Sequence, residues 1–404
     1  MSEDVAAVQR QARRRRRVRM TPSPLHAGID VRDYYLMHAM ATVIPLAAGW
    51  MLFGWRAPVT VALVLASALL GMQIWKQIGW RGTQIETGRL VWMSLLLGLA
   101  LPPHLLADAH PLLWPLVPVA GLMLVVVTWL LGGLGSGRLH PMLVTFLAIA
   151  TVYHSDLIPH YILRPDCLVW GDLFDSRTID PDAPHTDTWV SLRGKGLVAG
   201  KQAIYDPQPA AQRLILFTSG WQPPERSSVS MQMLLRDQLP PLEDLAIAGQ
   251  PSAIGTGSAM AVIMGGLLLI YRGLIDYRIP LLAILAAAAA MLILPVPMVI
   301  TDTAVQWRWL AFREHDLGWP AALTFVNYEL LASPLLLVAF FLATSPVLRP
   351  ITRRGRALFA ILFGAGSAAA MLYASVSLGP FIALLAVGLI TPVLDRVMGA
   401  HPWV

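Results

Sequence analysis

Charge is scarce in this sequence of 404 residues: Asp, Glu, Lys and Arg make up 13% of it, against about 25% in an ordinary soluble chain. Apolar types reach 56%. A surface so poor in charge does not stay dissolved in water, so the apolar surplus calls for lipid. Cysteine is nearly missing. The single Cys167 excludes an internal disulfide, a four-cysteine iron–sulfur cluster and a zinc finger held by this chain alone. No glycine-rich loop follows a strand pattern, which excludes a soluble nucleotide-binding domain. No apolar stretch with a small-residue cleavage site closely follows the N-terminal basic run, so no removable signal peptide is expected. Histidines within apolar segments are rare as well. His104, His110, His140, His154, His160, His185, His315 and His401 read as loop or helix-end residues, and only His38 falls well inside an apolar run. A haem needs two axial ligands on facing helices, so no haem is expected.

What is present is basic at one end and apolar nearly everywhere else. Arg10, Arg13 through Arg17 and Arg19 precede the first apolar run and dominate the net charge of +6. Such a run reads as a cytoplasmic tail that fixes topology and meets anionic lipid headgroups, rather than as a nucleic-acid arm. Ten apolar runs follow: 35–54, 57–75, 88–102, 111–131, 141–153, 253–271, 279–299, 323–344, 356–373 and 380–394. A bilayer span takes about 20 apolar residues, so the expectation is an all-α, polytopic membrane protein of about ten transmembrane helices. The runs divide five and five around a polar stretch, and two odd-numbered halves are expected to be inverted repeats. The corresponding domains are a basic tail (1–33), a first five-helix half (34–154), an extracytoplasmic loop or small cap (155–250), a second half (251–396) and a C-terminal tail (397–404). The stretch Arg213-Leu-Ile-Leu-Phe-Thr218 is expected to form a strand in the cap.

Arginine placement orients the set. With the N-terminus inside, cytoplasmic connections hold Lys76, Arg81, Arg89, Arg138, Arg272, Arg278, Arg349, Arg353, Arg354, Arg356 and Arg396. The opposite side holds Arg56, Arg308 and Arg313 in its short loops. The asymmetry predicts both termini in the cytosol of a bacterial inner membrane. Two runs carry helix breakers: Gly88 and Pro102-Pro103 bound the third, and Ser333-Pro334 interrupts the eighth. Discontinuous helices in matching halves mark binding sites in transporters, although proline is also simply frequent in membrane helices. Ionisable groups within lipid ask for a reason. Glu329, four residues before Ser333, is the foremost intramembrane acid and a candidate proton or cation station. Glu86, just before the third run, is a second candidate for an ion pathway, although its position suits a place at the cytoplasmic boundary better.

Several stretches together resemble the D subunit of the Rnf electron-transport complex and the homologous B subunit of the sodium-translocating NADH:quinone oxidoreductase. They are Ser23-Pro-Leu-His-Ala-Gly28 with Phe53-Gly-Trp-Arg-Ala57; Leu95-Leu-Leu-Gly-Leu-Ala-Leu-Pro-Pro103 with Gly132-Gly-Leu-Gly135 and His140-Pro-Met-Leu-Val144; Leu242-Glu-Asp-Leu245 with Pro251-Ser-Ala-Ile-Gly255 and Tyr271-Arg-Gly273; and Phe341-Leu-Ala-Thr-Ser-Pro346 with Arg354-Gly-Arg356 and Pro392-Val-Leu-Asp395. The resemblance implies a membrane subunit of a multi-subunit redox complex coupled to sodium or proton movement, with other membrane and extracytoplasmic redox subunits as partners. It also implies a flavin mononucleotide, FMN, joined by a phosphoester to a threonine in the loop before the sixth helix. Ser230 stands at that threonine's place, flanked by Ser227 and Ser228. Its hydroxyl leaves the chemistry open, while Ser228-Val229 replaces a Gly-Ala pair and Pro224 an aspartate. Thr256 and Ser345 stand where such subunits carry acids, and His140 where they carry an asparagine. These losses favour a second reading, a redox-inactive scaffold; a third, a small-solute or ion channel, follows from the five-plus-five arrangement, which is also a transporter architecture.

Overall fold

The computed structural model describes residues 31–77, 87–106, 113–131, 139–154, 157, 210–221, 228–235, 239, 242–247, 252–301, 305–310 and 318–398. Glu86, Ser227, Cys167, residues 1–30 and 399–404, and most of 155–250 lie outside the described residues.

Helices dominate. The first half contains α1 (Val31–Phe53), α2 (Arg56–Gln77), α3 (Thr87–Ala100), α4 (Leu116–Leu130) and α5 (Pro141–Val152). Between the halves come α6 (Ala210–Thr218), strand β1 (Ser228–Ser230) and the short α7 (Leu242–Ala246). The second half contains α8 (Ala259–Tyr271), α9 (Arg278–Ile293), β2 (Pro295–Thr301), β3 (Val305–Trp309) and α10 (Gly318–Ala332). It closes with α11 (Leu335–Leu342), α12 (Arg353–Tyr373) and α13 (Gly379–Val397). By length and composition α1, α2, α12 and α13 can each cross a bilayer, and α10 with α11, bent by 64° at Ser333-Pro334, makes a fifth. Five shorter apolar helices, α3, α4, α5, α8 and α9, complete the bundle. Outward faces carry Leu36, Leu70, Leu130, Leu285 and Leu389, all exposed, as expected where the solvent is lipid.

Small residues set how closely the helices approach, because association within lipid depends on packing rather than on apolar burial. In the second half α9 lies along α12, with Gly364 against the carbonyl of Ala283. In the first half α2 lies along α4, with Gly121 against the Val64 carbonyl and the Ser67 hydroxyl. The halves meet along two seams. At one, α1 packs on α8, where a Cβ on Gly265 would stand 2.8 Å from the Ala41 carbonyl oxygen. At the other, α5 meets α13, with the rings of Phe146 and Phe381 centred 4.4 Å apart. The Ile254 N–H donates to the Leu101 carbonyl at 3.1 Å, fastening the entry to α8 onto the end of α3.

Two expectations need correction. First, one apolar run is not helical throughout. The run 279–299 was expected to be one span, but α9 stops at Ile293 and Pro295 opens β2. Pro295 and Pro297 cannot donate to a helix ladder, and the residues between and after them are β-branched or extended-prone. β2 pairs antiparallel with both β1 and β3. The β3 edge is largely exposed; an open edge is not stable in hydrocarbon, so this sheet belongs outside the apolar core of the bilayer. Second, the stretch 213–218 is helical. Ala210, Ala211, Leu214, Phe217 and Thr218 are buried at helical spacing. Gly220, with φ of 78°, ends the helix, its own N–H bonding Phe217 O and that of Trp221 bonding Leu216 O.

Candidate functional site

The break in the eighth apolar run is where the site is built. Pro334 has no N–H, so the Leu330 carbonyl loses its helical partner and accepts from the Ser333 hydroxyl at 3.1 Å instead. The same hydroxyl accepts from the Leu335 N–H at 3.3 Å and starts α11. One turn before the break, Glu329 is fully buried, and neither carboxylate oxygen has a hydrogen-bond partner among the described residues. α10 packs there against α6, α7 and α9. A carboxyl taken out of water without a donor is costly, which makes Glu329 the most conspicuous polar group of the described bundle.

Beside the break lies a cavity of about 170 Å³. Ala332, Pro334 and Leu337 form one wall, and the first half contributes Ala100 and Phe146. The turn between α12 and α13, residues 374–378, and the turn containing Ser252, Ala253 and Thr256 complete the ring, with Gln212 of α6 and His154 near the mouth. The cavity therefore sits between the halves, and Glu329 lies three residues from the wall formed by Ala332.

The other sequence candidates fall elsewhere. Ser230 pairs with Val299 in the sheet, and its oxygen accepts from the Met233 N–H at 3.3 Å, capping a single helical turn. It does not line the cavity. Ser228 is in β1 opposite Thr301. Thr256 donates to Ala253 O at 3.2 Å and borders the cavity. Ser345 is buried in the turn after α11.

A second buried group was not foreseen. Trp92 of α3 stands between two imidazoles, with ring centres 5.5 Å from His38 and 5.7 Å from His140. His38 lies with Nδ1 2.9 Å from the Tyr34 carbonyl oxygen. His140, read from sequence as a helix-end residue, is fully buried ahead of Pro141, and neither ring nitrogen has a partner among the described residues. Arg89 is buried close by. The only sequence signal for this was the unusual histidine ahead of a proline at a helix start. The indole between the rings keeps them from serving as a facing ligand pair, and no cluster of three or more His, Cys, Asp or Glu side chains able to hold a metal occurs among the described residues.

The chain is similar in sequence to known membrane-complex subunits. Over 348 residues the chain is 26% identical to the D subunit of the ion-translocating oxidoreductase complex of Halorhodospira halophila, covering 84% of this chain and 81% of that one. It is 28% identical over 149 residues to the D subunit of the Na(+)-translocating ferredoxin:NAD(+) oxidoreductase complex of Acetobacterium woodii, covering 37% of this chain and 38% of that one. It is 27% identical over 144 residues to the D subunit of the proton-translocating ferredoxin:NAD(+) oxidoreductase complex of Clostridium ljungdahlii, covering 36% and 37%. The model of one family matches residues 19–402, which takes in both helical halves, the broken helix and the sheet; the chain belongs to the NQR2, RnfD, RnfE family.

Proposed function

We propose that this chain is a membrane subunit of a multi-subunit electron-transfer complex that couples electron flow to ion translocation, and that Glu329 is the ion-handling group. The observation that carries the proposal is a fully buried carboxyl without a hydrogen-bond partner among the described residues, one turn from a helix break whose residues Ala332, Pro334 and Leu337 line a cavity between the halves of the bundle. Intramembrane ionisable groups are costly and mark ion or proton pathways, and broken helices form binding sites in transporters. The two family relatives named for sodium and proton translocation support the ion coupling. Donors, acceptors and the remaining redox centres come from other subunits.

In this reading ten helices cross a bacterial inner membrane as two inverted five-helix repeats, with both termini cytoplasmic. The equivalent helix pairs α2–α4 and α9–α12, each with a glycine at its closest approach, support the repeat. The open sheet edge, which needs to lie outside hydrocarbon, supports an aqueous location for the segment around Ser230. Glu86 stays a second candidate for the pathway at the cytoplasmic boundary.

The decisive experiment uses vesicles containing the assembled complex. Glu329→Gln is expected to leave electron transfer running and abolish the membrane potential it generates, read with a potential-sensitive dye. Full generation of potential by the variant complex sinks the proposal.

A redox-inactive scaffold is the second reading, favoured by Ser230. The residues there fit a helix cap better than the FMN attachment point that the resemblance implies. The acceptor oxygen is held by Met233 N–H, and Val299 pairs with the residue across the sheet. No step is assigned to a flavin on this chain.

A further inference from the structure

We infer that the ion bound at Glu329 is a proton and not sodium. The inference rests on the reading of Glu329 as the ion-handling group and extends it to the identity of the ion. A buried carboxyl has two ways to avoid an uncompensated charge: it keeps its proton, or it holds a cation. Sodium enters such a place only where several oxygens replace its hydration shell. Among the described residues of its own helix, Glu329 is not offered that shell. On its own helix the same-face neighbours are Phe325, Val326, Ala332 and Ser333, and three of these are apolar. The Ser333 hydroxyl is already committed, donating to Leu330 O and accepting from Leu335 N–H. The Thr324 hydroxyl, one turn earlier and exposed, donates to Pro320 O at 2.7 Å. No second carboxylate joins Glu329 in a metal-holding cluster among the described residues.

The charged and titratable groups on the packed elements are few. α6 brings Arg213, which has a contact of its own. α7 brings Glu243 and Asp244, whose side chains are outside the described set. α9 brings Arg278, exposed at its first turn, and α10 itself adds Tyr328. Among the described side chains, Arg213, Arg278 and Tyr328 do not hydrogen-bond the carboxyl of Glu329. The proton is the one cation that needs no oxygen cage, since it forms a covalent O–H bond and leaves a neutral acid. Release returns that proton to water; Glu329 does not itself line the cavity, and the part of α10 that does begins at Ala332, three residues along the helix.

The test is infrared difference spectroscopy on the full chain purified in detergent at neutral pH, wild type minus Glu329→Gln. The expected result is a carbonyl stretch of a protonated carboxyl that shifts in heavy water and is unchanged when sodium chloride replaces potassium chloride. Absence of this band, or its loss on adding sodium chloride, overturns the inference. Glu329→Asp is the second variant should the glutamine form not assemble; it is expected to move the band rather than remove it. Vesicle measurements separate the two levels. Electron-driven potential in sodium-free medium, lost in Glu329→Gln, is expected. A potential that requires sodium and is lost in Glu329→Gln overturns the proton and keeps the site. A potential untouched by Glu329→Gln overturns the site itself.

Discussion

Gly364 of α12 rests directly on the main-chain carbonyl of Ala283 in α9, so closely that a methyl group at Gly364 would collide with that oxygen. Backbone cannot yield as a flexible side chain can, and overpacking a tight helix pair costs about 1–3 kcal/mol. Gly364→Leu is therefore expected to lower the yield and thermal midpoint of the full chain in detergent. Gly366→Ala, where the added carbon would stand 3.6 Å from the Ala383 side chain in ordinary contact, is expected to change neither.

Arg356 and Asp276 provide a second test. Arg356 Nη1 donates to Asp276 Oδ2 at 2.8 Å, and Nη2 donates to Ile351 O at 3.2 Å. The pair ties the start of α12 to the loop between α8 and α9. It is partly shielded, and such pairs contribute about 1 kcal/mol or less. Arg356→Gln and Asp276→Asn are each expected to lower the unfolding midpoint modestly. Their double mutant should cost less than the sum, and the difference should shrink at high salt.

Ser230 has a task that can be measured without reference to any cofactor. Loss of an N-cap hydroxyl costs about 1 kcal/mol. Ser230→Ala is expected to destabilise the segment by about that amount, seen as faster proteolysis near residues 228–235. Denatured wild-type chain is expected to show no flavin fluorescence in a gel. Fluorescence that disappears in Ser230→Ala would make this oxygen an attachment point after all.

Glu329 predicts a conflict between stability and coupling. Replacing an unsatisfied buried polar group by an apolar one of similar shape removes a desolvation penalty of about 1–3 kcal/mol. Glu329→Leu is expected to raise the thermal midpoint of the chain while abolishing electron-driven potential in vesicles. A fall in the midpoint would show that the carboxyl has a partner that stabilises it.

Much of the architecture was legible in the sequence because lipid enforces long apolar runs. α12 and α13 match their expected runs closely, and Ser333-Pro334 announced the bend between α10 and α11. The seventh run was overextended because Leu294 to Ile300 stays apolar after the helix stops, and apolar character alone does not separate a buried strand from a helix. The strand expected at 213–218 was a small-window error: its burial follows a period near 3.6 once Ala210 and Ala211 are included. Glu329 was visible as a charge inside an apolar run. The cavity beside it was not, since its walls come from segments scattered between Ala100 and Phe381. His140 was missed for the same reason, because only packing between distant helices buries a residue that precedes a proline.

The sheet also imposes a schedule on biogenesis. β1 leaves the ribosome before α8 and α9, yet its only ladder partner among the described strands, β2, is synthesised after them. The segment around Ser230 therefore has no ladder partner among the described strands until the next two helices and then Pro295–Thr301 have been made. Any maturation factor that needs this segment as an extended, accessible chain has its opportunity in that interval and loses it when the hairpin closes.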